Sequence, residues 1–107
     1  MKQFKPREKP EQKIQDRIIA FLKERGWVVM VTHGNTFQKG FPDLYALHPR
    51  YGQKWIEVKN PQKWKFTPAQ KQYFPHFDEA GVGIWVMMEA SEDEYKKLFG
   101  DPNWRKV

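Results

Sequence analysis

Gly40-Phe41-Pro42-Asp43-Leu44 and Trp55-Ile56-Glu57-Val58-Lys59-Asn60, separated by His48-Pro49-Arg50-Tyr51-Gly52-Gln53, decide how this chain reads. Asp43 to Leu47 and Lys54 to Asn60 have the character of strands, and the proline and glycine between them punctuate a hairpin. Two antiparallel neighbours are therefore predicted. Folding the hairpin about residues 50 and 51 sets Asp43 opposite residues 57 to 59, within a register error of one or two. Opposed side chains lie about 4.5 to 5.5 Å apart at Cβ. Asp43 and Glu57 can thus share one divalent cation, whose charge offsets the repulsion between two such carboxylates. Glu57 and Lys59 project from one strand face while Val58 points into the opposite layer. The ammonium then stands where it lowers the cost of deprotonating a water or stabilises charge developing on a phosphate. A plain Glu57–Lys59 salt bridge explains the same residues without chemistry.

Outward from the hairpin, Ile14, Ile18, Phe21 and Leu22 recur at spacings of three and four, predicting a first helix from Pro10 to Arg25 that ends at Gly26. Trp27 to Thr32 is an almost wholly apolar run, the pattern of a strand buried on both faces. His33 to Gly40 reads as a loop. Thr67-Pro68-Ala69-Gln70 has the form of a capping box opening a second helix, with Tyr73, Phe74 and Phe77 facing inward. Pro75 is expected to kink or shorten that helix. Gly81 closes it, Val82 to Met88 is a fourth, apolar strand, and Ser91-Glu92-Asp93-Glu94 is a second capping box opening a short helix to Phe99. The order is helix, three strands, helix, strand and a short terminal helix, which makes a mixed sheet with flanking helices in an α/β fold.

The 107 residues suit one domain, expected over residues 10–107 behind a flexible basic arm at residues 1–9. Nineteen Lys and Arg against thirteen Asp and Glu leave a net charge of +6, which favours a polyanionic partner. Seventeen aromatic residues are many for so small a core, so some are expected on a surface that binds nucleic acid or another subunit. With no cysteine, a disulfide framework and a thiolate zinc site are both excluded. The apolar runs are too short for a membrane span, which makes an intracellular, cytoplasmic, soluble protein the expectation.

Glu11 shares the helical stripe of Ile14, Gln15 and Ile18, and an inward carboxylate needs a partner that a metal site at the sheet would supply. Its place in the first helical turn also favours the helix dipole, and the two readings weigh about evenly. Gln70 closes the Thr67 cap, but the helix start also brings it near the end of strand three, where an amide orients a water or a phosphate. Lys39, Arg50, Lys63, Lys65 and the basic arm are candidate phosphate contacts. His33 is a weaker candidate for touching substrate.

Glu11-x-x-Ile14-Gln15, Gly40-x-Pro42-Asp43-Leu44, Ile56-Glu57-Val58-Lys59 and Pro68-x-Gln70 follow one another in the order of the PD-(D/E)xK nuclease superfamily. Glycine two before the Pro-Asp pair and glutamine opening the next helix resemble the virus-type replication-repair nuclease, or VRR-NUC, domain over residues 11–88. The resemblance implies a restriction-endonuclease-like αβββαβ core and Mg²⁺- or Mn²⁺-dependent hydrolysis of DNA phosphodiesters. It implies Asp43, Glu57 and the Val58 carbonyl as metal ligands, Glu11 as an outer or second-metal carboxylate, Lys59 as the activating amine and Gln70 as a positioning group. Similarity to junction resolvases further implies branched DNA, above all the four-way junction of recombination and repair, cut by a homodimer. A flap, end or duplex nuclease of the same fold and a non-catalytic nucleic-acid-binding module are the rival readings.

Overall fold

The computed structural model describes residues 10–32 and 39–107. The expected basic arm and most of the loop that contains His33 lie outside them. Within them the order is α1 (Pro10–Glu24), β1 (Val28–Val31), β2 (Leu44–His48), β3 (Gly52–Val58), α2 (Pro68–Glu79), β4 (Ile84–Met87) and α3 (Glu92–Lys97). This is the predicted α/β order. The four strands form one sheet in the order β1-β2-β3-β4, with β1, β2 and β3 antiparallel and β4 parallel to β3 after the α2 crossover. No helix among the described residues is long and apolar enough to cross a membrane.

α1 starts on Pro10, stops before Gly26 at φ +89°, and lays Gln15, Ile18 and Leu22 against the sheet. Those apolar side chains join Leu44, Ala46, Ile56, Val58 and Leu98 in one core cluster. Phe74, Ile84, Val86 and Trp104 form another. Ile56 and Val58 thus face one layer, and Glu57 between them is free to face the other, as strand alternation requires.

The hairpin register pairs Leu44 with Ile56 and His48 with Gly52, so the pivot is residue 50. Extended by one step, that register sets Asp43 opposite Glu57. The Thr67 cap is a complete capping box: Gln70 N–H donates to Thr67 Oγ1 and Thr67 N–H donates to Gln70 Oε1.

Several expectations need correction. Val28-Val29-Met30-Val31 is not a strand buried on both faces: it is the sheet edge, and Val28, Met30 and Val31 are 59%, 44% and 47% exposed. α2 is not shortened by Pro75 but continues to Glu79. Phe74 and Phe77, on either side of the proline, pack in the second core cluster, which works against its cost of about 3 kcal/mol. Tyr73 faces outward rather than inward. Ser91 caps α3 through Glu94 N–H, but the Glu94 side chain does not complete a capping box. Its carboxylate instead accepts from Met88 N–H, 2.8 Å away, at the end of β4.

Candidate metal and nucleic-acid site

Asp43 stands just ahead of β2, where its carbonyl accepts from Thr32 N–H at 2.9 Å and ties it to the end of β1. Its carboxylate is held from the other side: Val58 N–H donates to Asp43 Oδ2 at 2.9 Å. Asp43 N–H in turn donates to Glu57 Oε1 at 3.2 Å. The two carboxylates are thereby locked across the hairpin by each other's strands. The glycine before them has a steric reason. Gly40 has φ +87°, and a Cβ there would meet Tyr73 at 2.6 Å and the Ala69 carbonyl at 2.8 Å. Its turn therefore packs directly on the first turns of α2, which is where Gln70 begins.

Glu57 is buried, and so are Lys59 and Gln70. Glu57 Oε2 accepts from Gln70 Nε2 at 2.7 Å and from Lys59 Nζ at 2.9 Å. Lys59 Nζ also donates to Gln70 Oε1 and to the Lys65 carbonyl, both at 3.0 Å. The ammonium has three donors and meets three acceptors. Gln70 Oε1 serves the cap and the lysine together, so the capping role foreseen for Gln70 is filled and a contact to Lys59 is added to it. Burial, then the neighbouring Asp43 carboxylate, raise the Glu57 carboxyl to about 8, against the opposing pull of Lys59 and Gln70.

Glu11 meets this pair from the start of α1. One oxygen from each of Glu11, Asp43 and Glu57 lies within 4.8 Å of the others. Glu11 is exposed rather than core-facing, which corrects the stripe argument. The stripe is buried at Gln15 and Ile18, while its first turn projects past the sheet and into the open mouth of a cleft of about 630 Å³. The cleft takes in Lys59, Lys63, Lys65 and Gln70 along with the three carboxylates.

Of the four candidate phosphate contacts, the fold gathers Lys63 and Lys65 at the cleft. Lys39 is exposed on the turn that precedes Gly40. Arg50 is set apart at the hairpin tip, seven residues along the strands from Asp43, roughly 23 Å at the usual strand rise. Its guanidinium lies 5.8 Å from the Tyr51 ring instead. The cleft also contains Gln15 and Trp64, which the sequence did not single out as site residues. A polar residue within the apolar stripe of α1 was the available signal for Gln15. Trp64 had only a lysine on either side.

Among solved structures, the chain is similar to one described as a VRR_NUC domain, with a TM-score of 0.64 and 23% sequence identity over 84% of this chain and 95% of that one. The shared property at that identity is the fold, which agrees with the topology that the sequence resemblance implied. No protein-family model matches the chain, and no curated protein does.

Proposed function

We propose that this chain is a divalent-metal-dependent DNA endonuclease acting on branched DNA, with a four-way junction as its preferred substrate. The observation that carries the proposal is the meeting of Glu11, Asp43 and Glu57 within 4.8 Å, beside the Lys59–Gln70 pair. A hairpin, the start of α1 and the cap of α2 all converge there, which a single surface salt bridge does not require.

The donor set fits Mg²⁺ or Mn²⁺, since three carboxylates offer hard oxygens and leave room for substrate phosphate and water. A Glu57 carboxyl pushed up to about 8 by burial and Asp43 is relieved by a cation. Glu11, Asp43 and Glu57 would hold the ion, with the Val58 carbonyl as the further candidate ligand. The ion's contribution would be to polarise the phosphoryl group and ease deprotonation of the attacking water. Lys59 is positioned before substrate arrives by its three acceptors. Exchange of one of them for a phosphate oxygen places its charge where negative charge grows. Gln70 orients Lys59 and Glu57 together. Lys63, Lys65 and Lys39 then contact neighbouring phosphates, and their loss weakens binding without altering the chemistry.

A homodimer, joined through the exposed apolar edge of β1, suits a junction that offers two symmetric strands. The complete hydrogen bonding of the buried Glu57–Lys59 pair favours a second reading, a non-catalytic DNA-binding module in which that pair is structural. Labelled four-way junction, flap, duplex and single strand, each incubated with Mg²⁺, Mn²⁺ or EDTA, separate these readings. Paired incision of the junction, abolished by EDTA and reduced at least a thousandfold by Asp43→Asn, is the expected outcome. Undiminished cleavage by folded Asp43→Asn sinks the active-site assignment. Salt-sensitive binding indifferent to EDTA, with no product at any metal concentration, leaves only the binding module.

A further inference from the structure

Trp64 is unlike its neighbours in the core. Phe66 has three ring partners, Trp64, Phe74 and Trp104, at centroid distances of 5.4, 5.6 and 5.9 Å. Trp64 has the edge contact with Phe66 alone and is half-buried where it lines the cleft. Trp27, Trp85 and Trp104 each donate their indole N–H to a protein acceptor. Trp64, like Trp55, makes no such bond among the described residues, but Trp64 alone of the two lines the cleft.

The loop that carries it is held at both ends. Gln62 N–H donates to Asn60 Oδ1 at 3.0 Å, an Asx turn at the exit from β3, and the Thr67 capping box anchors the other end. The Lys65 carbonyl is bound by the Lys59 ammonium, so the residue next to Trp64 is tied to the reacting centre itself. An indole in edge contact with Phe66, flanked in sequence by Lys63 and Lys65, and lining the same cleft as the candidate metal ligands has the parts of a nucleobase platform. The lysines hold phosphates and the ring receives a π face.

We propose that Trp64 stacks on a base whose stacking neighbour is missing from one face, beside the phosphate to be cut, and so selects DNA in which base stacking is interrupted. The inference rests on the nuclease reading above for the word "cut", but the stacking itself does not. In a continuous duplex both faces of each base are already covered by their neighbours, so the indole finds no partner. At a junction, a bulge or a flap base, one face is open and little unstacking is needed.

The test compares wild type with Trp64→Phe, Trp64→Leu and Trp64→Ala on a bulged duplex and the fully paired duplex of the same sequence, with folding checked by thermal melts. Leucine keeps apolar bulk against Phe66 and removes the π face; phenylalanine keeps both. The ratio of kcat/KM on bulged over paired DNA is expected to fall about five- to a hundredfold in the Leu and Ala variants and to persist in Trp64→Phe. An abasic site at the unpaired position should lower the wild-type ratio and leave Trp64→Ala unchanged. Equal ratios in Leu and Phe variants, or an abasic effect as large in Trp64→Ala as in wild type, overturn the proposal.

A binding arm keeps the two readings distinguishable. With EDTA present, 2-aminopurine at the unpaired position is expected to be quenched by wild type and Trp64→Phe but not by Trp64→Leu. If no protein cleaves any substrate while this pattern holds, the nuclease reading fails and the platform stands. If all four proteins quench alike, the platform fails whether or not DNA is cut.

Discussion

The two outer strands, β1 and β4, are written in nearly the same letters and live in opposite surroundings. Val28-Val29-Met30-Val31 leaves three of its side chains more than 40% exposed, whereas every residue of Ile84-Trp85-Val86-Met87 is buried. Both are hydrogen-bonded to the sheet on one side only among the described residues. The free side of β4 is closed by side chains. Asn103 Oδ1 accepts from Val86 N–H at 2.7 Å and Asn103 Nδ2 donates to the Val86 carbonyl at 3.4 Å, so one amide imitates a fifth strand. Glu94 receives Met88 N–H in the same way. β1 has no such cover among the described residues. An apolar run therefore states that a strand forms; whether it is buried depends on how much chain remains to cover it.

Truncation in each strand is the strongest way to break this contrast. Met87→Ala is expected to cost about 2 to 5 kcal/mol, the range for emptying a packed core site, while Met30→Ala stays within about 0.5 kcal/mol. Urea unfolding midpoints of the two proteins measure it, and comparable losses would mean that β1 is covered in solution.

Glu57 lies on β3, between the two halves of the sheet, and gives a pH test. Its folded carboxyl is raised to about 8 from an ordinary 4.5, so the metal-free fold binds more protons than the unfolded chain in that window. This contribution to stability is full below about pH 4.5, is lost as pH rises through 8, and is flat beyond. Melting temperatures in EDTA are expected to fall from pH 5 to pH 8, and Mg²⁺ or Mn²⁺ should oppose the fall increasingly as pH rises, because the ion needs the ionised carboxylate. Equal metal stabilisation at pH 5 and pH 8 would speak against Glu57 as a ligand.

Asn103→Ala opens the edge of β4 and is expected to cost about 1 to 3 kcal/mol, since Val86 N–H and C=O lose their partner in a buried strand. Amide exchange at Val86 should accelerate before that at Ile56. The smallest effect on the fold is expected from Val31→Lys, within about 0.5 kcal/mol, because the side chain is already exposed. The same substitution puts charge on an open edge and should dissociate a dimer joined there. An unchanged sedimentation coefficient at micromolar protein would remove β1 from the interface.

The hairpin was legible because its two signals are local. Proline and glycine set the turn, and period-two alternation sets the faces, so Asp43 and Glu57 were placed opposite one another within the stated register. The Thr67 box was equally legible, since a cap involves four consecutive residues. Elsewhere the outcome was decided by contacts outside the local element. Arg50 was grouped with Lys63 and Lys65 as a phosphate contact, and the hairpin that unites Asp43 with Glu57 carries its own tip away from the cleft. Glu11 follows the α1 stripe, but a helix longer than the strand it crosses runs past the sheet, and its first turn leaves the core. Glu94 was assigned to its own helix cap, and a buried strand end competed for it successfully.

Residue order alone determined the αβββαβ succession, the hairpin register to within one or two residues and the side of β3 on which Glu57 and Lys59 stand, because turns, caps and alternation act over a few residues. Tertiary structure alone decided that Glu11 closes a carboxylate triad, that Gln70 bridges cap and lysine, that Trp64 stands at the cleft and that β4 rather than β1 is sealed. Those outcomes depend on which surfaces meet once the sheet is covered, and that competition for cover is settled by the whole chain at once.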